Sequence, residues 1–261
     1  MYPKYELPFY CAYLFYYDTE YSIATSEKVA TILGKYGMFP SKLIYSDKLT
    51  ENRYVKTDAN TKDIFVKAYA EDDVFQVSLV SDDNENATEY WKIDWTFTFY
   101  KNSNRTGGNR FKPWNTLAIK STHNRLNEVP EYEDFLFCAK ELIEVLNPFY
   151  MYIDDAGNWV RLMHGKHRFT PGKIQEIFWG NYFGHDYYKT IGIESMFAIP
   201  AYDIQRIGDG VFFALTDHIS SYNSKDVRKK RIVIKKYLKM VQMRNAVCRK
   251  NRGGQGDGSA C

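Results

Sequence analysis

The stretch YWKIDWTFTFY, residues 90–100, carries the clearest two-residue period in the chain. Alternate positions are apolar, and the positions between them are polar. This alternation is typical of a β-strand that buries one face, because successive side chains of a strand point to opposite sides. We therefore expect a strand here within a larger sheet. The apolar set is Trp91, Ile93, Trp95, Phe97 and Phe99, and the polar set is Lys92, Asp94, Thr96 and Thr98.

Further strands are expected on both sides of this stretch. The aromatic run from Pro8 to Tyr17 predicts a buried first strand, and residues 116–122, TLAIKST, predict another. Three pairs of short segments predict hairpins through turns rich in Asp, Glu or Gly. They are 63–70 with 74–81 through Glu71–Asp73, 149–154 with 158–163 through Asp155–Gly157, and 201–207 with 210–217 through Gly208–Gly210.

Helical spacing of apolar residues predicts the helices. Residues 26–37 predict a short helix that ends near Gly37, and residues 131–147 predict one of about four turns that stops before Pro148. Residues 171–196 indicate a helix, a tight glycine turn and a second helix, with Asp186 as the N-cap of the second.

These elements predict an α+β fold, a single compact domain with a mixed, largely antiparallel sheet flanked by helices and a basic C-terminal helix. The domain is expected to span residues 1–250, with a strand-rich half at 1–128, a helix-and-hairpin half at 129–250 and a flexible tail at 251–261. The 261 residues, 44% hydrophobic and 26% charged, exclude wholesale disorder, collagen and coiled-coil fibre. No apolar run reaches membrane-spanning length and no signal peptide is evident, so we expect a soluble, cytoplasmic protein.

The net charge of +3 hides a strong division of charge along the chain. Residues 225–252 hold 12 of the 35 basic residues and one of the 32 acidic residues, a net of +11. The remainder carries 23 basic and 31 acidic residues, a net of −8. Acidic clusters include Glu71, Asp72 and Asp73.

The basic segment predicts an amphipathic helix that begins after an N-cap at Ser224. One interpretation is a surface helix that packs on the acidic body with its cationic face in solvent. The alternative is contact with the phosphates of nucleic acid or with anionic lipid, since clustered positive charge gives affinity for phosphates that is independent of sequence. The nucleic-acid contacts would be Arg228, Lys229, Lys230, Arg231, Lys235 and Lys236.

Catalytic signatures are weak. The chain contains no GxxxxGK[ST], GxSxG or HExxH motif and no GxGxxG after a strand, so we expect no enzyme, no cofactor and no metal site. The weaker candidates each have a simpler explanation. His164 and His167 fit a cationic turn, His185–Asp186 fits a helix start, Asp154–Asp155 fits a plain turn, and Cys138 fits an apolar core face.

The cysteines Cys11, Cys138, Cys248 and Cys261 form no CxxC pair, which favours a reduced protein. The chain is rich in aromatic residues, with 5 Trp, 22 Tyr and 17 Phe. Tyr and Trp suit interface cores as well as protein interiors, so an interface with another protein and a dimer interface both remain open.

Residues 145–240 resemble a known family. The succession comprises an Asn-Pro step before a strand, a W-x-N-Y-F-G turn, an Ile-Gly pair seven residues on, and a hairpin with Asp-Gly before a hydrophobic strand. It resembles the bacterial polymorphic-toxin immunity proteins grouped as immunity protein 52, together with related type VI secretion immunity proteins. The matching residues are Asn147, Pro148, Trp179, Asn181, Tyr182, Phe183, Gly184, Ile191, Gly192, Ile199, Pro200, Ala201, Asp209 and Gly210.

The resemblance implies a non-enzymatic cytoplasmic α+β protein that binds and blocks a cognate toxin, and the acidic body favours a basic toxin. The same turn residues also suit the packing of a helix-turn-helix corner, with Gly180 and Gly184 supplying special backbone angles. One alternative function is a nucleic-acid-associated protein of a phage or mobile element that acts in defence or counter-defence through the basic C-terminal helix. Another is an enzyme that uses His185, Asp186 or the pair His164 and His167. The partner-binding candidates are Trp179, Asn181, Tyr182, Phe183, Asp186, Glu71, Asp72 and Asp73.

Overall fold

The computed structural model describes residues 9–17, 22–38, 42–48, 51–56, 61–70, 76–81, 95–100, 115–127, 129–163 and 171–252. Within these ranges ten strands form one sheet in the order β3-β2-β4-β5-β6-β1-β7-β8-β10-β9. Every ladder between the described strands is antiparallel. The strands are β1 (Phe9–Tyr16), β2 (Lys42–Lys48), β3 (Glu51–Lys56), β4 (Gln76–Ser81), β5 (Trp95–Tyr100), β6 (Asn115–Thr122), β7 (Tyr150–Asp155), β8 (Gly180–Phe183), β9 (Asp203–Ile207) and β10 (Gly210–Ala214).

Helices cover parts of both faces of the sheet. On one face lie α1 to α4, and on the other lie α6, α7 and α8. Among the described residues, no helix has the length and apolar character needed to cross a membrane. The helices are α1 (Ile23–Lys35), α2 (Thr61–Ala70), α3 (His123–Leu126), α4 (Val129–Leu146), α5 (Ala156–Met163), α6 (His185–Ile191), α7 (Ile193–Phe197) and α8 (Lys225–Arg252).

β1 lies inside the sheet and separates the two cores. It pairs with β6 on one side and β7 on the other. Its alternate residues Ala12 and Leu14 belong to one core, whereas Cys11 and the half-buried Tyr13 and Phe15 pack on the opposite side. Because a strand points successive side chains to opposite faces, an apolar strand at this position serves both cores.

The first core is built between the sheet and helices α1, α2 and α4. Val29 of α1, Phe65 of α2 and Phe135 of α4 are fully buried in it. The carboxylate of Glu141 on α4 accepts hydrogen bonds from Lys35 and from the Tyr36 hydroxyl, which ties α4 to the end of α1. This core packs α1, α2 and α4 against β1 and β6.

The second core is rich in aromatic side chains and lies under α6 and α8. Tyr152 stacks on Phe178 with ring centroids 4.4 Å apart, and Phe183 stacks on Tyr187 at 4.6 Å. The long helix α8 contributes to this core one buried stripe of side chains that recur every three or four residues. That stripe is Val227, Arg231, Ile234, Leu238 and Val241.

The predicted α+β class is confirmed, with a large antiparallel sheet, flanking helices and a basic C-terminal helix. The predicted N-cap of α8 is also correct, since the Ser224 hydroxyl accepts the backbone N–H of Val227 at 3.2 Å. The domain limits stay a prediction, and residues 253–261 of the expected tail lie outside the described residues.

Four predicted elements are wrong. Residues 63–70 lie in α2 and not in a hairpin strand, and residues 158–163 lie in α5 and not in a strand. Residues 174–178 have no regular structure where a helix was expected, and the expected glycine turn is the buried strand β8. The N-cap of α6 is Gly184, so Asp186 lies in the first turn of that helix.

Gly210 opens β10 beneath a buried tyrosine. A Cβ atom at this position would overlap the ring of Tyr182, whose hydroxyl donates to the Ile207 carbonyl at 3.3 Å. We expect Gly210→Ala to lower the free energy of unfolding by about 1 to 3 kcal/mol, because the ring must leave its packed position. Urea unfolding would measure this. Gly34→Ala, where nothing lies within 4 Å, is the control and should be neutral or stabilising; equal effects at both positions would contradict the prediction.

Candidate functional site

Two adjacent carboxylates at the end of β7 lie in the interior. Asp154 is fully buried, and its side chain accepts four hydrogen bonds. Oδ1 accepts from the Asp155 backbone N–H and from Nδ2 of Asn158, both at 2.8 Å. Oδ2 accepts from the Trp179 backbone N–H at 3.0 Å and from Nη2 of Arg231 at 2.6 Å. A carboxylate offers about four acceptor positions, so these donors occupy its capacity.

Asp154 and Arg231 form a buried ion pair between the sheet and α8. Burial raises the pKa of Asp154 to about 6, while the Arg231 guanidinium and the hydrogen-bond donors act in the opposite direction. Asp154 is therefore ionised at neutral pH. Burial also lowers the pKa of Arg231, and the charge of Asp154 partly counters this effect.

Asp155 joins helices α3 and α5 to the end of the same strand. Its Oδ1 accepts the Asn158 backbone N–H at 2.7 Å, which caps the start of α5. Its Oδ2 lies 2.8 Å from Nε2 of His123, and the His123 ring lies over Tyr10 with centroids 4.2 Å apart. The interpretation of Asp154–Asp155 as a plain turn is therefore wrong, because both carboxylates are buried structural acceptors.

Arg161 continues this polar network to the surface. Its guanidinium donates to Oδ1 of Asn158 and to Oδ1 of Asn223, the latter at 3.3 Å. The whole network fixes the end of β7 to α5, to the start of β8 and to α8. It is thus a structural link that also sets the position of the cationic side chains beside α8.

A groove of about 560 Å³ runs along α8 on the side of Arg161 and Glu176. Six of its nine lining side chains are cationic and one is a carboxylate. We refer to it as the α8 groove. Its lining residues are Arg161, Leu162, Glu176, Arg228, Arg231, Ile232, Lys235, Lys236 and Lys239.

The positive charge in the α8 groove is only partly compensated. Arg231 is paired with Asp154, and Nζ of Lys235 lies 2.7 Å from Oε2 of Glu176. Arg228, Lys236 and Lys239 are exposed, and they form no ion pair within the described part of the chain. The groove therefore attracts anions.

The outward face of α8 exposes several large apolar side chains. Five of them are more than half exposed, although most large apolar residues of the described chain are buried. Such a concentration on one helix is typical of an interaction surface. The five residues are Ile232, Val233, Met240, Met243 and Val247.

The aromatic residues predicted to bind a partner lie in the cores. Trp179, Tyr182 and Phe183 are at most 1% exposed, and Asn181 is fully buried. The Asn181 amide closes the turn before it, accepting the Phe178 backbone N–H at 3.0 Å and donating to the Phe178 carbonyl at 2.9 Å. These side chains form β8 and the residue before it, and their burial does not support partner binding.

The acidic residues predicted to bind a partner are not buried in the cores as the aromatic ones are, or they lie outside the described residues. Asp186 is half-buried, and its carboxylate accepts a hydrogen bond from the Tyr17 hydroxyl. Burial, together with this hydrogen bond and the charge of Asp186, raises the pKa of Tyr17. Glu71, Asp72 and Asp73 lie outside the described residues. Their roles in partner binding stay predictions.

The six predicted nucleic-acid contacts differ in their exposure and in their bonding partners. Arg228, Lys229 and Lys236 are exposed, and Lys235 is half-buried in its pair with Glu176. Lys230 donates to the Leu215 carbonyl at 3.0 Å and lies 3.2 Å from Asp226. Arg231 is 5% exposed and bound to Asp154, so it is a structural residue of the network.

The weaker catalytic candidates gain no supporting geometry in the described ranges. His185 is exposed at the start of α6, and the pair His164 and His167 lies outside the described residues. Cys11 and Cys138 are buried as expected, and burial raises the pKa of both thiols. In these ranges, no three His, Cys, Asp or Glu side chains are grouped as a metal ion requires.

Comparison with known proteins identifies a shared fold. No protein-family model matches the chain, and no curated protein matches it significantly. Among solved structures, the T6SS protein PA0821 from Pseudomonas aeruginosa is similar to it, with a TM-score of 0.64 and 14% sequence identity. The match covers 89% of this chain and 73% of the Pseudomonas chain. At this identity the likeness is one of fold.

Proposed function

We propose that the protein is an immunity-type binding protein of a type VI secretion system, which neutralises a cognate bacterial toxin by direct association and without catalysis. The observation that carries this proposal is the fold shared with a T6SS protein over 89% of the chain. The resemblance of residues 145–240 to immunity proteins supports it independently. Neutralisation would take place in the cytoplasm, where the toxin would otherwise act.

The positions of the family-like residues add a physical reason for the resemblance. Asn181 closes the turn that leads into β8, and Tyr182 packs over Gly210 at the start of β10. Gly184 fits closely against the backbone at Pro148 and Phe149. The pattern therefore describes how this half of the sheet is built, and the toxin contacts are expected on surface residues that differ among fold relatives.

The proposal is tested by affinity purification of the tagged full-length protein from its native host, with nuclease treatment, followed by mass spectrometry. We expect one stoichiometric protein partner that is toxic when expressed alone and harmless when co-expressed with this chain. Recovery of nucleic acid and its binders alone, lost at raised salt, would contradict the proposal and favour the nucleic-acid alternative.

A further inference from the structure

We propose that the α8 groove is a docking site for an acidic segment of the partner protein, an extended stretch in which carboxylates are interspersed with apolar side chains. The inference rests on the proposed function, because it specifies the chemistry of the part of the toxin that this protein holds. It concerns exposed residues of α8 and not the buried residues of the family-like pattern.

The charges of the groove favour an anionic occupant. Arg228, Lys236 and Lys239 are exposed along one side of the helix and have no ion pair within the described residues. Arg161 of α5 adds a fourth exposed cation to the lining. The Nε atom of the buried Arg231 also has no hydrogen-bond partner in the described structure. A ligand with several carboxylates would complement this arrangement.

The length of the groove fits a short extended peptide. The lining residues of α8 run from Arg228 to Lys239, which corresponds to about 16 Å of helix at 1.5 Å per residue. An extended chain rises about 3.3 Å per residue, so roughly five residues would lie alongside α8. The volume of about 560 Å³ is within the range of ligand-binding clefts.

The apolar residues of the groove favour a peptide over a nucleic acid. Ile232 is 57% exposed and Leu162 faces the same space, so an occupant gains by placing apolar side chains there. None of the nine lining residues that the structure describes is aromatic, whereas single-stranded nucleic acids are usually held by stacking of their bases on aromatic rings. Met240 and Met243 extend the apolar surface beyond the groove.

The acidic remainder of the chain complements this site. Outside residues 225–252 the net charge is −8, which favours a partner that is basic overall. A partner with a basic surface and one acidic segment would meet both regions, and opposite charges at two places fix the orientation of a complex.

Fluorescence anisotropy with the full-length protein tests the docking site. The probes are a labelled peptide of three Glu-Leu repeats, close to the length of the groove, and a labelled oligothymidine with a matched number of negative charges. The groove variant is Arg228→Glu, Lys236→Glu and Lys239→Glu. The control variant, Lys225→Glu, Arg244→Glu and Arg249→Glu, makes the same change in net charge on the same helix but away from the groove lining.

We expect the peptide to bind the unmodified protein and the groove variant to weaken this binding at least about tenfold, against less than about threefold for the control variant. Melting curves must show that both variants stay folded. Equal losses in the two variants, absence of peptide binding, or tighter binding of the oligothymidine at the groove would overturn the proposal. If the toxin is identified and the groove variant still neutralises it, the docking site is wrong while the proposed function stands.

Discussion

Replacing Arg231 with methionine is expected to lower the free energy of unfolding by about 3 to 5 kcal/mol. Methionine keeps much of the aliphatic volume but leaves the fully buried Asp154 carboxylate without its counter-charge. The loss of one partner from a buried ion pair is costly because the remaining charge cannot reach water. Urea unfolding followed by far-ultraviolet circular dichroism would measure the loss.

The double variant Asp154→Asn with Arg231→Met is the control for this effect. The asparagine oxygen can still accept from the buried backbone N–H groups of Asp155 or Trp179, and neither charge of the pair stays buried. We expect the double variant to recover at least about half of the lost stability, as a double-mutant cycle would show. A double variant as unstable as the sum of the two single variants would contradict the role of the ion pair.

The Arg231→Met defect should also depend on pH. The pKa of Asp154 is about 6 in the folded protein and 3.8 in its ordinary state, so the folded state binds this proton more tightly than the unfolded state. The contribution of Asp154 to stability is therefore greatest below about pH 4 and declines as the pH rises towards 6. Without the guanidinium the pKa of Asp154 rises further. Lowering the pH from about 7.5 to about 5 should therefore reduce the deficit in the free energy of unfolding of the variant relative to the unmodified protein. Equal deficits in the free energy of unfolding at the two pH values would contradict this explanation.

Trp179→Ala should lower the free energy of unfolding by a similar amount, about 3 to 5 kcal/mol, because it removes a large fully buried side chain. The Trp179 ring meets Tyr132 edge-to-face with centroids 6.0 Å apart. Its Nε1–H donates to Oγ1 of Thr216 at 2.7 Å. The cavity and the lost hydrogen bond both contribute, and thermal unfolding of the variant would measure the sum.

Trp179→Phe separates a structural role from a partner-binding role. Phenylalanine keeps much of the packing and loses the bond to Thr216, so we expect a cost of about 1 kcal/mol. Affinity for the partner should stay unchanged, since the residue is 0% exposed. A large loss of affinity in a variant that remains folded would show that Trp179 contacts the partner after all.

The sequence predicts strands best where the two-residue period is clear and the neighbouring strand in the sheet is also apolar. β5 falls within the predicted stretch, and its Phe97 pairs with Ile119 of β6, which is also a predicted strand. The hairpin of β9 and β10 through Gly208 is correct because the glycine at φ 51° suits the turn. Local chemistry is sufficient to define these elements.

The errors arise where distant contacts decide the structure. In α2, adjacent residues Phe65 and Val66 are both buried, and the Val66 carbonyl accepts from Ser26 of α1. Packing against α1 therefore favours a helix in a segment whose β-branched residues predict a strand. At α5, the capping bond from the Asn158 N–H to Asp155 starts a helix where a strand was expected.

The buried network was missed, although one signal for it exists in the sequence. Arg231 lies at helical spacing among Val227, Ile234 and Leu238, so an arginine interrupts an apolar stripe. A charged residue at such a position requires a buried counter-charge, because an unpaired one would be too costly. The identity of that partner, Asp154, depends on how β7 meets α8, which spacing along the chain cannot provide.

The position of β1 has a consequence for the way the protein folds during synthesis. Its two neighbours, β6 and β7, begin at Asn115 and Tyr150, so the ribosome releases β1 well before either of them. Until then both hydrogen-bonding edges of an apolar strand are open, which is the condition that invites aggregation of nascent chains. Pairings between segments so distant in the chain also form slowly. Expression at low temperature or with added chaperones should therefore increase the soluble yield, because closure of the sheet around β1 is a late event.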